Sequence, residues 1–525
     1  MATTHVERER KFDRRAGAVL PDLHGLPKVS AVEPAATEDL DAVYYDTPDR
    51  LLLAHRITLR RRTGGHDQGW HLKLPDGPDS RREVRLPLAA GEADAVPSEL
   101  ELRVRARTRG GVLAPVARLH TRRRRRLLLD AKRRTLAEIA EDTVTARIPQ
   151  PSGEVLSRAW DEVEAELDRG GTALLDALEE RFRAAGLERS ASGSKLARAL
   201  AGPGDDGQPT TDSPGPGAAV PGAAVPGAAD FGAAVPGSIG ALLRDLLRAQ
   251  VDDLLALDGE VRRDQPEGVH DLRVAARRLR STLRSHRRSL DRAAAGPLAA
   301  DLRWLGHCLS EARDSQVIGE LLLSRTAELP EPERPGPMPG RITAWSTERY
   351  RRYLGEVITV LDGDRYLALL AELERFAAHP VAPGRGGGAA GPELRRVLKR
   401  ERLRVGSRMA TARDLPPGAD RDQALHALRR AAKRARYAAE GAAPVCGEGA
   451  RRLARRMKAV QTLLGARQDA LLARWALPRV AASAHAHGEP GFGYGVLYAA
   501  RAADLAGCDA ALPGLWAAAP GKRGG

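Results

Sequence analysis

The sequence predicts an α+β multidomain chain: a closed, charge-lined antiparallel sheet with flanking helices, then an all-α pair of pseudo-symmetric bundles. Three observations predict it. Short runs of alternating charged and apolar residues fill the first 200 positions. A Pro/Gly-rich stretch without Lys or Arg spans 201–237. After it, apolar residues recur at three- and four-residue spacing through 238–520, and one basic motif occurs twice.

In the first module, strands are expected at Val6–Phe12, Ala42–Tyr45, Ile57–Arg62, Trp70–Leu74, Arg81–Leu88, Arg125–Asp130, Leu136–Ala140, Thr143–Ile148 and Ala159–Leu167. Turn residues such as Thr63-Gly64-Gly65 separate them. Helices are expected at Glu38–Leu40, Pro97–Thr108, Gly171–Ala185 and Ser194–Ala201. Alternate residues of a strand share a face. Glu7, Glu9 and Lys11 therefore point one way, as do Arg60 with Arg62, Arg81 with Glu83 and Arg85, and Glu162 with Glu164 and Glu166. The opposite faces carry Leu59, Val84, Leu86, Val163 and Leu167. Apolar residues outside and charges inside fit a closed sheet covered by helices. Charges in such an interior are costly unless matched, so an anion with its metal ions is the natural occupant.

The residue types fit that occupant. Lys11, Arg60, Arg62, Lys73 and Arg81 suit phosphoryl groups, with Arg offering a bidentate fork. Glu7, Glu9, Glu162, Glu164 and Glu166 suit Mg²⁺ or Mn²⁺, hard ions that prefer carboxylate oxygen. Such ions orient water and screen charge on a transferring phosphoryl group.

These residues resemble the CYTH superfamily, the triphosphate tunnel metalloenzymes. Glu7-Arg8-Glu9-Arg10-Lys11 is similar to its ExExK signature. The resemblance continues through Tyr45-Asp46-Thr47, Leu59-Arg60-Arg61-Arg62, Trp70-His71-Leu72-Lys73 and Arg81-Arg82-Glu83. It ends at Glu162-Val163-Glu164-Ala165-Glu166-Leu167 and Ser194-Lys195, so it covers residues 1–200. It implies an eight-stranded antiparallel tunnel that binds a triphosphate-containing small molecule. It also implies metal on Glu9 and the late glutamates, and Lys195 closing one end. Arg85 departs from the acidic or neutral polar residue some members carry, and the run Arg122–Arg126 hides which arginine faces inward.

The 201–237 stretch repeats Gly-Ala-Ala-Val-Pro at 217–221, 222–226 and 232–236. Such composition builds no core and reads as a semi-extended linker with a reach of roughly 100 Å.

In the second module, His270-Asp-Leu-Arg-Val-Ala-Ala-Arg-Arg-Leu-Arg280 aligns with His426-Ala-Leu-Arg-Arg-Ala-Ala-Lys-Arg-Ala-Arg436, seven of eleven positions being identical. Downstream, Leu309-Ser-Glu-Ala-Arg313-Asp314 is echoed by Leu464-Gly-Ala-Arg467-Gln-Asp469. This reads as a duplication of helical units. On a helix His270, Arg273 and Arg277 share a face that Arg280 and Arg284 extend, and His426, Arg429 and Lys433 do likewise. Like charges at this spacing repel, and a polyanion across both helices relieves the repulsion. Lys399, Arg400, Arg404 and Arg408 form a further basic face without a distinctive motif.

The duplicated motif resembles the CHAD domain, a helical module named for its histidines, over 237–520. The resemblance implies inorganic polyphosphate binding in a basic groove, with Arg436 among the binding residues, Arg313 and Arg467 in the groove or in buried ion pairs, and no chemistry of its own. Composition agrees with a polyanionic partner: 84 Lys and Arg against 69 Asp and Glu give +15 over 525 residues. Aromatics make up 4%, sparse for base stacking along the basic helices, so nucleic acid is a poor candidate. Three scattered cysteines make neither a disulfide frame nor a zinc site. The polar start and the lack of an eighteen-residue apolar run lead us to expect no membrane partner and a cytoplasmic location, with polyphosphate granules as a place of association.

Overall fold

Alternation of charged and apolar residues closes one sheet in the first module. In the computed structural model, which describes residues 3–14, 18–77, 79–92, 95–150, 152–201, 237–334, 336–381 and 386–517, the strands are β1 (Thr3–Asp13), β2 (Ala31–Pro34), β3 (Glu38–Asp46), β4 (Thr58–Thr63), β5 (Gly69–Pro75), β6 (Ser80–Leu86), β7 (Ala114–Leu129), β8 (Thr135–Pro149), β9 (Val155–Leu167) and β10 (Glu188–Arg189). Eight of them run β1-β6-β5-β4-β3-β7-β8-β9, and β9 pairs antiparallel with β1 to close the barrel. β2 adds to β7, and β10 to β1. Closure leaves no free edge among the eight.

Helices α1 (Leu51–Ala54), α2 (Ser98–Thr108), α3 (Thr172–Ala184) and α4 (Lys195–Leu200) complete the module. The outward rows are apolar because helices cover them. Leu59, Trp70, Leu72 and Val84 pack on Leu52 of α1 and Leu100 and Val104 of α2. Phe12, Ile139, Val163 and Ala165 pack on Leu174, Leu178 and Phe182 of α3, with the Phe12 and Phe182 rings edge to face at 4.8 Å. Truncating one such buried ring to Ala costs about 3–5 kcal/mol.

α4 behaves differently. Its Leu196 and Ala199 join Ala42, Tyr44, Ala117, Leu119, Val144 and Ala146 in one apolar cluster. Those strand residues belong to the inward rows: Ala42 stands opposite both Arg62 and Leu119, and Leu119 opposite Ala146. The helix thus fills one end of the barrel. Ser194 starts it, its hydroxyl accepting from the Ala197 amide at 3.1 Å.

Several sequence expectations need correction. Glu38–Leu40 is the start of β3, paired with β7 (Glu38 opposite Arg123), not a helix. A three-residue helix forms too few bonds to compete with a ladder. Leu136–Ala140 and Thr143–Ile148 are one strand, so Glu141-Asp142 is mid-strand rather than a gap between strands. Arg125–Asp130 is the end of a 16-residue strand.

The described residues of the second module form the helices α5 (Ile239–Arg262), α6 (Gly268–Ser285), α7 (Arg292–Cys308), α8 (Ser310–Ala327), α9 (Met338–Asp362), α10 (Asp364–Ala378), α11 (Ala390–Asp414), α12 (Ala419–Ala486) and α13 (Phe492–Ala517), with a short 3₁₀ turn at Glu331–Glu333 between α8 and α9. Apolar spacing in the sequence predicts one helix over Pro297–Arg313; the chain forms two, divided between Cys308 and Ser310, so Arg313 belongs to α8. α12 breaks at Gly447, whose φ of 62° and ψ of −143° lie where a side chain is strained. The duplication is visible in the packing: α6 carries the first histidine motif, α12 before its break carries the second, and the two helices touch. One core joins α11, both halves of α12 and α13 around Met409, Leu428, Val460 and Leu512. Another joins α8, α9, α12 and α13 around Ile318, Ile342, Leu477 and Leu497.

The chain divides into two compact units, Met1–Ala218 and Ala219–Gly525. Residues 202–236, the body of the expected linker, lie outside the described residues. No helix of the described residues is long and apolar enough to cross a membrane.

Candidate functional site

Register decides which charges meet inside the barrel. Lys11 stands opposite Glu164, Glu9 opposite Glu166, Glu7 opposite Arg81, and Lys73 opposite Glu83. Across the sheet Arg123 faces Asp142, and Asp142 faces Glu162. Ten of the expected residues line one cavity: Glu7, Glu9, Lys11, Arg60, Arg62, Lys73, Arg81, Glu164, Glu166 and Lys195. Arg85, Arg123, Asp67, Thr58 and Ser194 complete its wall. Glu162 does not line it. Its carboxylate accepts from the Trp160 indole at 2.6 Å and meets Lys195 at 2.7 Å.

The lining holds eight basic side chains against five carboxylates, and most are already paired. Lys73 donates to Glu7 at 2.5 Å, and Arg85 binds Glu7 at 3.1 Å and also Glu83. Lys11 binds Glu9 at 3.1 Å and Glu164. Lys195 lies 2.9, 2.7 and 2.6 Å from Asp142, Glu162 and Glu164. Arg123 bridges Asp142 at 2.6 Å and Glu164 at 2.5 Å. Arg62 pairs with Asp67, and Arg60 donates to the Tyr44 hydroxyl at 3.2 Å. The Nε atoms of Arg60 and Arg62 are buried without a hydrogen-bond partner, which leaves these guanidinium groups with donors to spare. The open volume is about 50 Å³, room for roughly four waters. A larger anion would have to take over basic side chains now held by carboxylates.

These contacts set the protonation states. Burial opposes charge on Glu9, but Lys11, Lys73 and Arg81 outweigh it and hold the carboxyl down at about 2. Burial likewise opposes charge on Glu164, and Lys11, Lys195 and Arg123 keep it well below the usual range. Glu166 goes the other way: burial, with Glu7, Glu9 and Glu164 nearby, pushes it up to about 7 against Lys73. Tyr44 is buried, yet Arg60, Lys195 and Arg62 pull its hydroxyl below its ordinary value. Burial presses His71 down to about 3, against its 2.9 Å hydrogen bond to Glu83.

The carboxylates fit a divalent cation. Glu9 and Glu166 are inward, opposite in register and mutually repulsive, and hard cations take such oxygen donors. Oxygens of Asp142, Glu162 and Glu164 lie within 4.8 Å of one another, as do ligand atoms of His5, Glu7 and Glu83. The Lys195 ammonium sits among the first group, and the cavity wall itself presents the carboxylates of Glu7, Glu9, Glu164 and Glu166.

Sequence reasoning did not assign Glu83, Arg123, Asp142 or Tyr44 to the site. Glu83 was on the right face. Arg123 was concealed by five consecutive arginines, and the odd positions Arg123 and Arg125 prove to turn inward, where Arg125 binds Glu138 and Glu38. Asp142 fell in the gap between the expected strands Leu136–Ala140 and Thr143–Ile148.

The helical module gathers a second charged cluster. Arg273 and Arg277 of α6 converge on Arg429 and Lys433 of α12, with Arg436 beside Lys433, and Arg280 stands near Arg430. Burial, then Arg277, Arg429, Arg273 and Arg436, press the Lys433 ammonium down to about 6. Burial and neighbouring cations also lower Arg273, Arg280 and Arg429. Arg277 donates to the Tyr437 hydroxyl at 3.0 Å, and Arg436 lies over the same ring at 5.0 Å. Asp314 stands 3.7 Å from Arg273, and Asp469 attracts Arg429 in the equivalent place. Burial, then Arg313, lowers His270; burial, then Arg430, lowers His426. Arg284 continues the α6 stripe beside Arg280. Arg313, close enough to act on His270 and Arg273, pairs with Glu267 at 3.1 Å, and Arg467 pairs with Asp422 at 2.6 Å and Asp509 at 2.8 Å. On the third basic face, Arg404 meets buried Glu401 at 2.5 Å, and Arg434 of α12 meets it at 2.7 Å.

Comparison with known proteins agrees with this division. Residues 5–200 match the CYTH domain, and residues 245–478 match the CHAD domain. An uncharacterised protein of Mycobacterium tuberculosis is 36% identical over 514 residues, covering 96% of this chain and 94% of that one. Among solved structures, the CHAD domain from the plant Ricinus communis is 26% identical, with 55% of this chain and 96% of that chain covered and a TM-score of 0.44. HpAC1 from Hippeastrum, with its dominant triphosphatase activity, is 16% identical, with 37% and 94% covered and a TM-score of 0.24. The chain therefore belongs to the family of proteins that join a CYTH domain to a CHAD domain.

Proposed function

We propose that the barrel is a divalent-metal-dependent phosphohydrolase acting on inorganic triphosphate or a related organic triphosphate, and that the helical module binds inorganic polyphosphate. One observation carries the first half: eight basic side chains and five carboxylates line one buried cavity, a mixture suited to a metal–phosphate complex. Bound Mg²⁺ or Mn²⁺ would supply charge neutralisation and an oriented water. Glu7, Glu9, Glu164 and Glu166 would hold it. Lys11, Lys73, Arg81 and Lys195 would bind phosphoryl oxygens, with Arg60 oriented by Tyr44 and Arg62 by Asp67. α4 excludes water from one end of the chamber. The helical cluster contributes affinity, and residues 201–237 would act as the tether that raises the local concentration of substrate. With this reading goes a cytoplasmic location at polyphosphate granules.

The test is phosphate release from tripolyphosphate with Mg²⁺ or Mn²⁺. Glu7→Ala and Glu164→Ala should each abolish it in protein shown to be folded by circular dichroism. Unchanged release in both variants refutes the site.

A further inference from the structure

Aromatic residues are few and far apart in this chain, yet the fold collects four of them with arginines on one face of the helical module. On α9, Trp345, Arg349 and Tyr353 follow at intervals of four and so form one stripe. On α12, Trp475 and Arg479 have the same spacing. The stripes interlock. The Arg349 guanidinium lies 5.1 Å from the Trp475 ring, 4.8 Å from Tyr353 and 5.9 Å from Trp345. Arg479 covers Trp475 at 4.0 Å. Beside them Arg474 stacks on Tyr498 of α13 at 4.6 Å and donates to its hydroxyl at 2.9 Å.

Three features separate this face from ordinary packing. Trp475 and Tyr498 remain 39% and 38% exposed although the core of α8, α9, α12 and α13 lies beneath them. The Nε atoms of Arg349 and Arg474 are buried within the stack without a hydrogen-bond partner. The face also adjoins the duplicated basic cluster: Asp314, in contact with Arg273, feels the charge of Arg349 as well. Gln468, the hydrogen-bond partner of His426, precedes Trp475 by two helical turns on the same side of α12, about 10 Å along the axis.

We propose that this face binds single-stranded nucleic acid, bases stacking on Trp475, Tyr498 and the guanidinium planes they hold flat, with the backbone phosphates on the neighbouring arginines. Bases stack on aromatic rings and arginine planes, while phosphates need cations; interleaving both serves a chain that alternates base and phosphate. An inorganic phosphate chain has no use for the rings. A mononucleotide pocket would enclose its platform, whereas these two rings lie open on adjacent helices. Charge complementarity points the same way in a chain of net charge +15. The sequence expectation against nucleic acid rested on the sparseness of aromatics along the basic helices, whereas this face gathers its rings from α9, α12 and α13.

The inference stands apart from polyphosphate binding and from the barrel, and its test keeps them apart. The full-length protein is titrated against a fluorescein-labelled, unstructured 20-nucleotide RNA and, separately, against labelled inorganic polyphosphate, at fixed salt. Trp475→Ala and Tyr498→Ala should each weaken RNA binding by about tenfold, within the range for loss of one stacking platform. Both should leave polyphosphate affinity within about twofold, and Trp475→Phe should restore most of the RNA affinity. No RNA binding by the wild type, unchanged RNA binding in both alanine variants, or an equal loss for polyphosphate would each overturn the proposal.

Discussion

Lys433 offers a quantitative test of the helical site. In the free protein its ammonium is pressed down to about 6 by burial and by Arg277, Arg429, Arg273 and Arg436. A phosphate chain laid across α6 and α12 reverses the cause, and we expect the group to return toward its ordinary value of about 10.4. The sign follows directly. Between these two values the complex holds one proton more than the free protein, so affinity falls as pH rises. The slope is about tenfold per pH unit. From pH 7.5 to 9.0 binding should therefore weaken by about thirtyfold, or about 2 kcal/mol. In the free protein His270 and His426 are shifted downward from 6.5, so both are neutral over this range. Calorimetry in two buffers of different ionisation enthalpy measures the proton taken up. Lys433→Arg, permanently charged, should bind with a flat pH profile. A wild-type slope below about twofold over the range, or an equal slope in Lys433→Arg, refutes the reasoning.

Two further perturbations test the ion pairs as structure. Lys195→Met removes the ammonium shared by Asp142, Glu162 and Glu164, and breaking such a buried group should cost the barrel about 3–5 kcal/mol. Mg²⁺ or Mn²⁺ should recover part of the lost Tm, and an unchanged Tm in metal-free buffer contradicts the prediction. Glu401→Ala leaves Arg404 and Arg434 without their shared carboxylate. A loss of about 3–5 kcal/mol should appear in the helical signal on chemical denaturation, and a variant as stable as the parent shows that water compensates.

Parity made most of the barrel legible. A strand with Glu7, Glu9 and Lys11 on one side and Phe12 on the other has a single sensible orientation in a closed sheet, and β1 adopts it. The periodic rule fails where a run is uniform. Five consecutive arginines in β7 give no clue to phase, and only pairing with Asp142 selects Arg123. It fails again where two charges sit mid-strand, because Glu141-Asp142 reads locally as a gap between strands while the ladder to β7 and β9 keeps it extended. In the helical module the repeat identified α6 and α12 before folding was considered. What it could not reveal was which arginines would find carboxylates. Arg313 and Arg467 match as echoes, but their partners Glu267 and Asp509 lie 46 and 42 residues away. The aromatic face was invisible for the same reason, since Trp345 and Trp475 meet only across Arg349.

The pairing of the barrel's charges has a thermodynamic consequence. On the proposed function, a phosphoryl oxygen would compete with Glu9 and Glu164 for the charge of Lys11, and with Glu7 for that of Lys73. Any anion that claims these side chains sets carboxylates free, and a freed carboxylate beside others is what a divalent cation binds best. The two ligands are then coupled through the lining itself. By linkage each must raise the affinity of the other by the same factor, so neither alone would load the chamber well. On this reading the barrel would be a coincidence detector, loaded fully only when anion and cation arrive together.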